Sequence, residues 1–500
     1  MAEAIRVFVP SDTTARSVGA DAVAAAIEAL AARRGVELAI IRNGSRGLYW
    51  LEPLIEVEVA GRRVAYGPVV ADDVAGLFDA GFEAGGAHAK LLGPTDSIPY
   101  LAAQDRLTFA RVGLIDPASL DDYRAHEGYR GLEAALAMSG QAMVDSVKES
   151  GLRGRGGAGF PTGIKWQTVL DTPAEQKFVV CNADEGDSGT YADRMIMESD
   201  PFVLIEGMTI AGLAVGATRG YIYLRAEYPQ AIRTMNAAVA AAGQAGYLGE
   251  SVCGSGRAFH VEVREAAGAY ICGEETSLLE SLEGKRGVVR YRPPLPAVKG
   301  LFGAPTIVNN VITLSTVPTI FARGASFYQD FGTGRSRGTL TVQLAGNIKQ
   351  GGLVDTQDNE SIERNPSGEL YKRAFDIFQI PIAIQMIGLK GRKNGYCRCN
   401  RKKRPVVFIR LHNNVVSVTE PGVGSAKATE FPTHDDRGVE PSFHEHQTDH
   451  RSGCGLSACA GYSDAVLEPH YLCKHFRASD DRNFSALSFQ KFGILRLDSR

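Results

Sequence analysis

The sequence is short of several things. Among 500 residues, Lys and Arg number 54 against 57 Asp and Glu, so the formal net charge is only −3. That balance excludes a protein held to nucleic acid mainly by charge. No run of about 18 apolar residues occurs, and the nearest, around 208–224, is interrupted by Thr and by Arg219. The first ten residues, MAEAIRVFVP, contain no apolar stretch of the secretory kind, so a cytoplasmic location is expected. Cysteine is scarce: eight in all, none before Cys181, and no Cys-x-x-Cys anywhere. A disulfide-stapled secreted fold is therefore excluded. Five of the eight cysteines fall after position 396, at 397, 399, 454, 459 and 473. With 44% hydrophobic and 22% charged residues the chain is an ordinary globular one, long enough for about three domains.

The first 110 residues read as a small α/β module. Ile5–Val9 reads as a strand, and the alanine-rich 20–34 as a helix stopped by Gly35. Val36–Ile41 is a second strand. Leu54–Val59 and Arg63–Tyr66 read as a hairpin around Ala60-Gly61. One helix with several strands resembles a thioredoxin-like unit, here without cysteine. Residues 130–150 carry helical spacing, and Lys177–Cys181 has the composition of a buried strand. Alternation of helical and strand-like segments continues to about 310, the pattern of an open α/β layer. Another β-rich module opens at 338–354. Composition then changes: 53 alanines lie in residues 1–350 and 9 in 351–500, and seven of ten histidines lie beyond 400. The change marks either a domain boundary or a defect in the sequence itself.

Four segments carry chemistry. Gly154-Arg155-Gly156-Gly157-Ala158-Gly159 matches G-x-G-x-x-G, but a helix precedes it where a dinucleotide fingerprint has a strand. Its glycines leave a backbone without side-chain walls, open to a flat ring or a phosphate, with Lys165 nearby as a point charge. Cys181-Asn182-Ala183-Asp184-Glu185-Gly186-Asp187 follows a strand, where open α/β sheets bind ligands. Gly268-Ala-Tyr270-Ile-Cys-Gly273-Glu274-Glu275 sets a carboxylate pair beside a tyrosine. Arg290–Pro296 precedes Pro305-Thr-Ile-Val308-Asn309-Asn310, which places two amides after an apolar strand.

In this order, GRGGAGFPTGIKW, CNADEGDSGT, AYICGEETSLLESLEG and PTIVNNVITL resemble the flavin- and NADH-binding (51 kDa-like) subunit of the complex I family, over about 140–354. The resemblance implies FMN and NAD as cofactors. It assigns Gly154, Arg155, Gly156, Gly157, Lys165, Asn182, Asp184, Glu185, Tyr270, Gly273, Glu274, Glu275, Val308, Asn309 and Asn310 to FMN. Phe160, Asp187, Glu275 and Leu295 would line the nicotinamide site, although relatives often carry an aromatic residue where Leu295 stands. No catalytic side chain is implied, because hydride transfer is cofactor chemistry.

The implied architecture is α/β: a thioredoxin-like domain at 1–115, a Rossmann-like FMN/NADH domain at 116–335, a β-grasp-like module at 336–425 and a C-terminal region at 426–500. The cysteine-free N-terminal extension and RNGSRGLYWLEPLIEV at 42–57 look like the β (diaphorase) subunit of NAD-dependent molybdenum formate dehydrogenase. That implies a molybdenum/iron–sulfur α subunit and a small [2Fe–2S] subunit as partners. A complex I or NAD-reducing hydrogenase subunit and a non-catalytic scaffold are the alternatives. Family members end in a [4Fe–4S] domain with C-G-x-C-x-P-C. Here Cys454, Cys459 and Cys473 are the candidates, at a different spacing, and a Cys/His zinc module over 397–475 is the competing reading. The family pattern ends near Val354.

Overall fold

The computed structural model describes residues 4–187, 189–345 and 350–356, together with the backbone of four further strands between 387 and 418. Two compact units are present, one of residues 1–344 and 350–367, the other of the remainder. In the second, Ile387–Gly391 pairs with Cys397–Arg401 and Ile409–His412 with Val415–Val418, both antiparallel.

The first unit opens with a five-stranded sheet. Its strands are β1 (Ile5–Phe8), β2 (Leu38–Ile41), β3 (Ile55–Val59), β4 (Arg62–Tyr66) and β5 (Leu91–Pro94), in the order β2-β1-β3-β4-β5. β1 and β2 are parallel; the β1–β3, β3–β4 and β4–β5 pairs are antiparallel. The helix Ala20–Arg34 crosses from β1 to β2 and buries Val23, Ala24, Ile27 and Ala31 against the sheet. Gly35 ends it at φ 67°, a left-handed conformation that costs a side-chain-free residue little. The hairpin turn falls at Ala60-Gly61, as the alternation predicts.

The second sheet is parallel: β6 (Phe178–Ala183), β7 (Arg219–Arg225), β8 (His260–Ala266) and β9 (Thr306–Asn310), ordered β8-β7-β6-β9. The chain runs outward from β6 through β7 to β8, then returns to add β9 on the other flank of β6. The gap beyond the carboxyl ends of β6 and β9 is therefore the topological switch point, where open α/β sheets bind ligands. The helix Pro201–Val215 is buried at all 15 positions. Two glycines let neighbours close on it: a Cβ on Gly207 would lie 1.9 Å from the Leu314 carbonyl, and one on Gly212 2.3 Å from the Phe259 ring. Among the described residues, no helix is long and apolar enough to cross a membrane.

Residues 130–150, which carry helical spacing, form two helices, Arg130–Leu136 and Gly140–Glu149. Ser139 accepts the Ala142 N–H at 3.2 Å and so starts the second. The buried Glu206 carboxylate accepts the Tyr129 and Leu132 N–H groups at 2.8 and 2.9 Å, and so fastens the first.

The two sheets are joined through buried acids. Thr13 donates its N–H and hydroxyl to Glu198, both at 2.7 Å, and Arg194 donates to the Thr14 hydroxyl at 2.7 Å. Burial, reinforced by the Asp12 charge, pushes the Glu198 carboxyl up to about 7 and that of nearby Glu52 up to about 8. An unfolded glutamate titrates near pH 4.3, so the folded chain holds more protons between that pH and 7–8. Stability from these groups is full at about pH 4 and is lost as pH rises to 8. Glu198→Gln keeps an acceptor for Thr13 and cannot ionise. Thermal melts are expected to show a smaller loss from pH 5 to 8.5 in this variant than in the wild type. Parallel losses in the two proteins would contradict the assignment.

Candidate functional site

The glycine-rich loop spans 152–161, between the helices Gly140–Glu149 and Thr162–Asp171. Its base is clamped: Gly154 N–H bonds the Phe160 carbonyl and Thr162 N–H the Leu152 carbonyl, each at 2.9 Å. Its tip is open. A Cβ on Gly157, at φ 103°, would meet nothing within 4 Å. One side of the loop is tied to the first turn of the helix Val311–Arg323, which follows β9, since Arg155 N–H donates to Thr313 Oγ1 at 2.8 Å. The Arg155 guanidinium is drawn off to the Tyr328 hydroxyl at 3.3 Å and to the Arg337 carbonyl. Phe160 and Ile164 stand about half exposed on the outer side.

The strand ends supply the polar wall. Asn182 and Asn310 are register partners on β6 and β9, as are Cys181 and Asn309. These asparagines thus lie within their strands, one or two residues earlier than a reading that puts them after an apolar strand. Asn309 is buried and accepts the Trp166 indole N–H at 3.1 Å, so its amide braces the helix Thr162–Asp171. Lys165, one helical step earlier, donates to the Val308 carbonyl at 2.7 Å and pairs with Glu275 at 3.4 Å.

Asn182 donates to the Gly273 carbonyl at 2.8 Å and so fixes the segment Tyr270–Gly273 over the sheet. Asp184 lies beneath it. Its carboxylate is buried and accepts no hydrogen bond from the described residues. Burial raises it to about 6 against the pull of Arg225. A Cβ on Gly273 would come within 3.3 Å of Asp184 Oδ2, and one on Gly186 within 2.7 Å of the Tyr270 ring. Glycine therefore leaves a cradle around a carboxylate that has no donor among the described residues. The Tyr270 hydroxyl donates to Asp187 at 3.2 Å.

Glu274 caps the helix Glu275–Leu282 and accepts the Thr276 and Ser277 N–H groups at 2.9 Å each. Arg292 bridges it to Glu275, at 3.0 Å from the latter. Sequence reasoning leaves Arg292 unassigned; two adjacent acids followed by an arginine-rich motif are the available signal. Leu295, half exposed, begins the short helix Pro296–Lys299. The candidates Cys454, Cys459 and Cys473 lie outside the described residues.

Glu185 faces elsewhere. At φ 23° it turns its carboxylate onto the helix Ala192–Ser199, accepting from Asp193 and Arg194 N–H at 2.9 and 3.0 Å and from the Tyr228 hydroxyl at 3.1 Å. Glu185→Gln would set an NH2 group against one of those backbone donors. A loss of about 1–3 kcal/mol in denaturant unfolding is expected. A change under about 0.5 kcal/mol would contradict this capping role.

The fold and the loop define an α/β unit with a glycine-lined opening at the switch point of its parallel sheet. Residues 147–319 match the family described as the Nuo51 FMN-binding domain. The chain is 50% identical over 252 residues to the NADP-reducing hydrogenase subunit HndC of Solidesulfovibrio fructosivorans, a match covering 50% of this chain and 51% of that protein. It is 49% identical over 245 residues to an NADH-quinone oxidoreductase subunit of Rhizobium meliloti (strain 1021), covering 49% and 58%. A crystal structure of an NAD+-reducing [NiFe]-hydrogenase aligns with TM-score 0.43 at 28% identity, over 70% of this chain and 58% of that one. The chain thus spans roughly half the length of the curated relatives it matches. Residues 147–319 are thus similar to the FMN-binding domain of the 51 kDa-like flavoprotein subunits of the complex I family.

Proposed function

We propose that this chain binds FMN and NAD(H) and serves as the diaphorase subunit of a larger oxidoreductase. The observation that carries this reading is the glycine-lined cradle around Asp184, a buried residue whose carboxylate accepts no hydrogen bond from the described residues, at the switch point of a parallel sheet. A ligand bearing hydroxyl or N–H donors completes it, and FMN has both. The residues present fit the flavin. The open tip at Gly157 admits a flat ring, Asn182 and Asn310 offer amides at adjacent strand ends, and Lys165 offers charge to a phosphate.

Held by these residues, FMN would supply hydride exchange with NADH and single-electron transfer. The chain's own residues bind and orient. Phe160 and Leu295 present exposed apolar surface for the nicotinamide nucleotide, and Asp187 and Glu275 would serve as its acceptors. Arg292 and Lys165 hold Glu275 in place from two sides. No side chain is required to move a proton to the nicotinamide.

The described residues do not fit an iron–sulfur cluster. Cys181 and Cys272 are buried, Cys253 is exposed, and no group of three His, Cys, Asp or Glu could hold a metal among them. No electron route beyond the flavin is derived for this chain. Partners would supply iron–sulfur centres. Within the family we favour the β subunit of an NAD-dependent formate dehydrogenase, with a molybdenum/iron–sulfur α subunit and a small [2Fe–2S] subunit. The support is the cysteine-free N-terminal sheet, whose order β2-β1-β3-β4 and polarity suit a thioredoxin-like unit.

The purified full chain, reconstituted with FMN, is expected to show a flavin absorption spectrum and to reduce ferricyanide with NADH. Gly157→Val, which walls the loop and forbids its φ, is expected to lower FMN affinity at least tenfold, about 1.4 kcal/mol. Failure of the wild type both to retain FMN and to oxidise NADH would overturn the proposal.

A further inference from the structure

We infer that Thr313, which lies outside every flavin-contact set above, positions the site by fixing the amide of Asn310. The inference rests on the flavin reading just given. Thr313 is fully buried in the first turn of the helix Val311–Arg323. Its hydroxyl is used twice. It accepts the Arg155 N–H at 2.8 Å and bonds Asn310 Oδ1. Its backbone N–H also donates to Asn310 Oδ1, at 3.1 Å.

The direction of these bonds is forced. A backbone N–H only donates, so the atom of Asn310 that faces Thr313 must be the amide oxygen. The hydroxyl lone pair takes the Arg155 N–H, which leaves the hydroxyl proton for that same oxygen. The Asn310 NH2 group must then point away from Thr313. Gly156 passes on that side of the strand end: its Cβ, were there one, would lie 3.3 Å from Asn310 Cβ and 4.0 Å from Nδ2. Thr313 therefore does two things with one hydroxyl. It ties the glycine loop to the end of β9, and it makes Asn310 present donors to an acceptor atom on the flavin. Being buried, Thr313 touches no ligand; it is a positioning residue.

The test uses the full chain and three variants, with FMN affinity read by flavin fluorescence, NADH kinetics by ferricyanide reduction and apoprotein melting by calorimetry. Thr313→Val keeps the shape and removes the hydroxyl; Thr313→Ser keeps the hydroxyl. Val is expected to weaken FMN binding about tenfold and Ser to restore it to within roughly threefold, with the KM for NADH unchanged in both. Asn310→Asp keeps an acceptor for Thr313 and removes the outward donors. It is expected to weaken FMN as much as Val does, and it serves if the Val variant does not fold. Wild-type affinity in Thr313→Val or in Asn310→Asp overturns the inference. So does a Ser variant as weak as Val with an equal drop in apoprotein melting, which marks a purely structural residue. A wild-type chain that binds no FMN at all overturns the flavin reading itself.

Discussion

The parallel pairing of β6 with β9 is the constraint on which the site depends. Because β9 joins β6 from the flank opposite β7, the carboxyl ends of two strands whose register partners are 128 residues apart come level, and Asn182 sits beside Asn310. Parallel strands expose their last polar residues at the same edge, and no connection crosses the gap between them. The helices that flank this edge, Thr162–Asp171 and Val311–Arg323, are each tied to it. Trp166 bonds Asn309, and Thr313 bonds Asn310. A slip of β9 by one residue against β6 would turn Asn309 and Asn310 each to the opposite face of the sheet, away from these partners.

From that edge the rest of the site follows in layers. The glycine loop has a clamped base and an open tip, so it is rigid where it must hold register and bare where a ligand comes close. Asn182 anchors Gly273, and Gly273 roofs Asp184. The acids next to this cradle do different work. Glu274 and Glu185 spend their carboxylates on helix N-termini, where backbone N–H groups favour negative charge. Asp184 alone of the three is buried with no donor among the described residues, and a buried carboxylate is costly unless a donor is supplied. That asymmetry, more than the number of acidic residues, points to a ligand.

Much of this is legible in the sequence. The order of the four motifs, the glycine density and the polar residues closing apolar strands all indicate an α/β ligand site. The β1–β4 strands and the first long helix follow from alternation and from the Gly35 stop. What is not legible is direction. Whether Glu185 faces a ligand or the helix Ala192–Ser199 depends on a bond across a loop, at no helical or strand period. Thr313 reads as one more small polar residue in a helix until the loop that reaches it is placed. The break at Ser139 is different. Ser139-Gly140 is a helix-start signal, and the apolar spacing on both sides of it obscures it. Beyond about position 354 the sequence departs in composition from what precedes it, and the cysteines it carries stand outside the family's cluster spacing.

Hydrogen–deuterium exchange of the full chain with and without FMN bears most directly on the central claim, that one site is built where the glycine loop meets the ends of β6 and β9. Three segments distant in sequence should gain protection together on adding FMN: 154–160, 182–187 and 308–313. Protection confined to one of them, or falling on other segments while these stay unchanged, would contradict it.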